Sequence, residues 1–176
     1  MEYCNENIKD VYHELFDEAL ARYNEKQTRN DRRIDDYYEK ICSGKQEKPF
    51  HEIILQIGNR DDMGAKTEDG QLAAKILDEY MRDFRRRNPT LRVFSAYLHM
   101  DEATPHLHID FIPYTTGSKR GLDTRVSMNY PAASCGVSKV ATSTNNPICY
   151  TALFSLRFYR LFYNFFPVPV LSHIYL

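Results

Sequence analysis

Two apolar segments, residues 90–99 and 105–113, lie only five residues apart, and that spacing constrains the fold more than any other feature of the sequence. Both are short, rich in β-branched and aromatic side chains, and flanked by proline, which predicts two strands. A connection this short cannot carry a crossover, so the strands must pair as an antiparallel hairpin. Side chains then alternate between faces. Leu107, Ile109 and Phe111 share an apolar face that needs helices against it. His106, His108 and Asp110 share the opposite, polar face. His99 ends the first strand, and the hairpin returns it beside His106 and His108.

The remaining elements follow from periodicity. Residues 8–27 place Ile8, Val11, Tyr12, Leu15, Phe16, Ala19, Leu20 and Tyr23 on one helical stripe, with Asn7 as N-cap. A more polar helix is expected over about 30–42, stopping at Ser43-Gly44. Residues 50–57 predict a strand ending at Gly58-Asn59, and 59–70 a polar loop. A third helix over about 70–87 carries Leu72, Ile76, Leu77, Tyr80, Met81 and Phe84, and Asn88-Pro89 ends it. Strands interspersed with helices, including a hairpin, predict an α+β class: an antiparallel sheet with helices packed on one face.

Charge divides the chain. All 24 acidic residues precede position 128, and the last 49 residues keep only Lys139, Arg157 and Arg160. That tail passes from small polar residues to an aromatic run, 154–166, without a helical or strand period. Residues 128–176 are therefore expected to be an atypical, poorly ordered tail, with the folded unit confined to 1–127. The two arginines and the prolines 167 and 169 argue against a membrane span of about 20 apolar residues. Cys4, Cys42, Cys135 and Cys149 show no metal-finger or CxxC spacing, and the polar N-terminus is unlike a signal peptide; both suit reduced thiols in a cytoplasmic protein.

Formal net charge is only -1, so bulk electrostatics do not argue for nucleic acid. A DNA partner would have to use local clusters: Arg82, Arg85, Arg86 and Arg87; Arg29, Arg32 and Arg33; or Lys119, Arg120 and Arg125, which follow the histidine strand and are expected nearest the site.

Three of the six histidines fall within ten residues and converge from two paired strands. Neutral imidazoles bind divalent transition metals, and three protein ligands leave open positions for a substrate oxygen. Asp101, Glu102 or Asp110 could accept the second ring N–H of a ligand histidine. The plain alternative is a polar strand surface.

The segment His99-Met-Asp-Glu-Ala-Thr-Pro-His106-Leu-His108 resembles the HxDExTPHxH motif of the Mob/Pre plasmid mobilisation and recombination proteins, the MobV-type relaxases of the HUH endonuclease group. The similarity extends through Tyr12-His-Glu-Leu-Phe, Phe50-His-Glu-Ile-Ile and Gly121-Leu-Asp-Thr-Arg-Val-Ser, covering roughly 8–127. It implies His99, His106 and His108 as metal ligands, Glu102 as a supporting catalytic acid, and Mn²⁺ or Mg²⁺ as the ion, with three imidazoles favouring Mn²⁺. It also implies nicking of single-stranded plasmid DNA at an origin of transfer, through Lewis-acid help at the scissile phosphate and a covalent 5′-phosphoryl enzyme.

One family feature has no counterpart here. The nucleophilic histidine of these relaxases lies ahead of the position matching Ile8, and none of the seven residues before Ile8 is histidine. The chain is thus expected to be a partial relaxase domain. His13, His51, Tyr3, Tyr12 and Tyr23 are weaker nucleophile candidates, Tyr12 and Tyr23 being better explained as core. Three readings follow: an active strand-transferring endonuclease, an inactive relaxase that keeps metal and DNA binding, or an unrelated metallohydrolase.

Overall fold

The computed structural model describes residues 1–127, and the expectations for the tail lie outside them. Strand β1 (Glu2–Asn5) leads into helix α1 (Ile8–Glu25), a 3-10 turn (Asn30–Arg32) and helix α2 (Tyr37–Ser43). Strand β2 (His51–Gln56), helix α3 (Glu68–Arg87), strands β3 (Leu91–His99) and β4 (His106–Thr115), and the short β5 (Arg125–Val126) follow. The strands run in the order β1-β3-β4-β2, with β5 beside β4, and every pair is antiparallel. The α+β class holds, and no helix among the described residues is long and apolar enough to cross a membrane.

Local chemistry sets the helix starts. The side chains of Asn7, Asp36 and Thr67 each accept a first-turn backbone N–H, satisfying donors that have no partner within the helix. The single helix expected over 30–42 is instead a 3-10 turn followed by α2. Asn24 causes the break: its side chain bonds both the N–H and the carbonyl of Ile34, at 3.0 and 2.8 Å. Those groups are thereby withdrawn from helical hydrogen bonding.

The helices occupy both faces of the sheet, which corrects the expectation of one. On the odd-numbered face of β4, Leu107, Ile109 and Phe111 pack with Ala74, Leu77, Met81 and Phe84 of α3. A second core joins Val11, Tyr12 and Phe16 of α1 and Tyr37 and Ile41 of α2 to Phe94 and Ile112. Ile112 has the same strand phase as His106 and His108. A bulge between Val93 and Ser95 shifts the register of β3 against β4 there. Among the described residues, α1 and α2 thus cover the histidine face at its Ile112 end, and no helix covers it at its His106 end.

Gly70 shows how closely α3 is seated. A Cβ there would meet the Gly64 carbonyl oxygen at 2.0 Å and its carbon at 2.7 Å. In an open helix, glycine to alanine gains about 1 kcal/mol. Here the obstruction is backbone, so Gly70→Ala should instead lower the melting temperature by several degrees in a circular-dichroism melt. An unchanged or higher value would show that the 64–65 segment yields freely.

Candidate metal centre

Register assembles the site. In the β3–β4 ladder His99 lies opposite His106 and Tyr97 opposite His108. In the β2–β4 ladder Gln56 lies opposite His106, Ile54 opposite His108 and Glu52 opposite Asp110. Directly paired residues share a face, so these side chains form one surface.

The three imidazoles are almost equidistant. Ring centroids lie 5.1 Å apart for His99–His106 and His106–His108, and 5.2 Å for His99–His108. Imidazoles bonded to one ion at about 2.0–2.1 Å, in roughly tetrahedral directions, have centroids about 5 Å apart. The donor atoms of His99, Glu102 and His106 all lie within 4.8 Å of one another. Glu102 thus joins the candidate donor set itself, its Oε2 3.8 Å from His106 Nε2. His108 completes the surface from outside that set.

Hydrogen bonds fix which nitrogens are available. His106 Nδ1 lies 3.0 Å from the Thr104 carbonyl oxygen, and His108 Nδ1 lies 2.6 Å from Glu52 Oε1. A carbonyl or carboxylate can only accept, so each Nδ1 carries the proton and each neutral ring keeps a lone pair on Nε2. His99 Nδ1 lies 3.6 Å from Asp101 Oδ1. His106 is buried and the other two are half-buried. The donor set, neutral nitrogens with one carboxylate, suits a divalent transition ion.

Sequence reasoning missed Glu52. It looked for histidine partners among Asp101, Glu102 and Asp110, but His108 is held from a different strand. Asp110 bonds Ser95, and burial, the largest influence, pushes its carboxyl above the usual range. The segment Phe50-His-Glu-Ile-Ile contained the signal, because Glu52 has the opposite strand phase to Ile53 and Leu55. Orienting partners of metal-bound histidines contribute about 10–100-fold in affinity. Glu52→Gln should therefore weaken Mn²⁺ binding by about ten-fold in a calorimetric titration, while Glu47→Gln, outside the sheet, should leave it unchanged.

The basic clusters are less close to the site than expected. Lys119 and Arg120 are exposed, and neither forms an ion pair among the described residues; Arg125 donates to Ser118 Oγ at 3.2 Å. Their loop leaves the far end of β4. At about 3.4 Å per residue, Thr115 is about 24 Å along the strand from His108. Asp123 ties the loop to α1 through a two-pronged pair with Arg22, at 2.9 and 3.0 Å. In the α3 cluster, Arg82 pairs with Asp78, Arg86 pairs with Asp83, and Arg87 donates to the Tyr80 carbonyl. These contacts complement the helix C-terminus. Arg29 pairs with Asp31.

The nucleophile candidates are engaged elsewhere. The Tyr3 hydroxyl donates to Asp78 on α3, across the sheet from the histidines. The Tyr12 hydroxyl donates to the Pro49 carbonyl within the second core, which Tyr23 also joins. His13 is exposed on α1 beside Asp17. His51 stacks on Phe111, on the α3 side.

A family model described as plasmid recombination enzyme (Mob_Pre) matches residues 2–129. No curated protein and no solved structure matches the chain.

Proposed function

The chain belongs to the plasmid recombination enzyme family, and from that premise we propose that it nicks one strand of plasmid DNA at an origin of transfer, using a divalent ion held by His99, His106 and His108 with Glu102. Membership replaces the reading as an unrelated hydrolase and makes DNA the substrate class. The observation that carries the proposal is the equal spacing of three imidazoles, two of which turn their Nδ1 protons away, to the Thr104 carbonyl and Glu52.

When bound, the ion supplies Lewis acidity at the scissile phosphate. The protein's own part is positional. The sheet holds the three rings, Glu52 and the Thr104 carbonyl set their tautomers, and Glu102 adds negative charge that favours a cation over water. Mn²⁺ suits this donor set better than Mg²⁺, which prefers oxygen. Lys119 and Arg120, exposed at the far end of β4, would hold strand phosphates at a distance from the cleavage point.

A second reading has its own support. Tyr3, Tyr12, Tyr23 and His13 are each held away from the histidines, which favours a chain that binds metal and strand without forming a covalent intermediate. One assay separates the two. With Mn²⁺ and supercoiled plasmid bearing its origin, nicking with labelled strand attached to the protein establishes the first reading. Saturable Mn²⁺ and strand binding without nicking establishes the second. Absence of Mn²⁺ binding overturns both.

A further inference from the structure

Beside the histidines lies a depression of about 500 Å³, lined by Met1, Tyr97, Leu98, His99, Met100 and Asp101. Its size falls within the range of about 300–1,000 Å³ typical of small-ligand sites. We propose that Tyr97 is a stacking platform there, holding one nucleobase of the strand whose phosphate meets the metal centre. This rests on the nuclease reading above and names the contact that reading leaves open.

Register puts the ring on the correct surface. Tyr97 lies opposite His108 in β4 and opposite Glu2 in β1. Its ring centroid is 6.2 Å from that of His99, the planes tilted by 36°. The ring is half-buried on a strand paired on both sides, so little freedom is lost when a base packs against it.

Charge selects which part of a nucleotide enters. Glu2 and Asp101 are both exposed acids at the rim. Two carboxylates repel a phosphate but can accept hydrogen bonds from ring or exocyclic N–H groups of a base. The side chains of Met1 and Met100 add apolar surface, and the Met1 ammonium is engaged with the Leu98 carbonyl. The phosphate then belongs over the histidines and the base over Tyr97, one nucleotide spanning adjacent subsites. Stacking tolerates any base because every base has a π-face.

The test uses a short thymidine strand carrying a single 2-aminopurine, titrated into the full chain with Mn²⁺. Stacking quenches the fluorescence of that base. Quenching should occur with the native chain and with Tyr97→Phe at one position of the probe. It should be lost in Tyr97→Leu, with strand affinity falling about ten-fold and Mn²⁺ affinity unchanged. Equal quenching and equal affinity in Tyr97→Leu, with Mn²⁺ still bound, would overturn the platform and leave the nuclease reading intact. A native chain that binds neither Mn²⁺ nor the strand would overturn both.

Discussion

Replacing His106 with alanine is expected to abolish measurable Mn²⁺ binding and to lower any metal-dependent nicking by about three orders of magnitude, the several kcal/mol that Lewis-acid stabilisation contributes. His106 is the natural target because it is the most buried of the three. Its ring lies 5.1 Å from each of the other two, and its Nε2 faces Glu102. Truncation also removes the proton donated to the Thr104 carbonyl. Leaving a buried acceptor without its partner costs about 1–3 kcal/mol, so stability must be measured beside activity. His13→Ala is the matched control, since that imidazole is exposed on α1 and, among the described residues, pairs with Asp17 on the same helix. A His106→Ala chain that melts within a few degrees of native and still binds Mn²⁺ with native affinity would refute the three-histidine centre. Loss of binding with a folded chain would support it.

The legible parts of this fold were those governed by strand phase. Alternation through Leu107, Ile109 and Phe111 against His106, His108 and Asp110 was enough to place the histidines together on one face, because a period of two leaves no other arrangement. The hairpin register followed from a short connection. Strand β1 was not legible. Glu-Tyr-Cys-Asn has no alternation to read, and it is a strand because β3 offers it an unpaired edge. The two-sided helix arrangement was half visible. Ile112 is an apolar residue in the phase of the histidines, which already implied that something covers that end. The bulge beside Phe94 could not be foreseen, since nothing local distinguishes Val93-Phe94 from a regular strand.

At the site, contacts within one hairpin were easier to read than contacts across strands. His99, His106, His108 and Glu102 fall within ten residues, so local geometry fixes their proximity. Glu52 arrives from a strand more than fifty residues earlier, and only the β2–β4 register brings it to His108. The same limit explains the basic loop. Sequence distance from His108 to Lys119 is short, but an extended strand converts it into a large separation, whereas β2 reaches the histidines from far away in sequence. Proximity in a sheet is set by register, and register is a tertiary fact.

Phe111→Ala should cost about 3–5 kcal/mol, a large share of the roughly 5–15 kcal/mol by which domains are stable. The ring is fully buried on β4 and packs into the α3 core, with the His51 ring stacked at 6.1 Å. A fall in melting temperature of about 10 °C or more is expected. Phe16 is equally buried, in the other core, against Tyr12 and Tyr37. Phe16→Ala should cost about as much, for the same cavity reason. The two rings belong to separate clusters on opposite faces of one sheet, so their effects should be independent. The gentler pair Phe111→Leu and Phe16→Leu, at about 1 kcal/mol each, keeps the double variant folded for a urea-denaturation cycle. Additivity within about 0.5 kcal/mol is expected for residues that share no partner. A coupling clearly above 1 kcal/mol would mean that the rings lie in one core, and would return all three helices to a single side of the sheet. That result would also remove the half-covered face that carries the proposed metal centre.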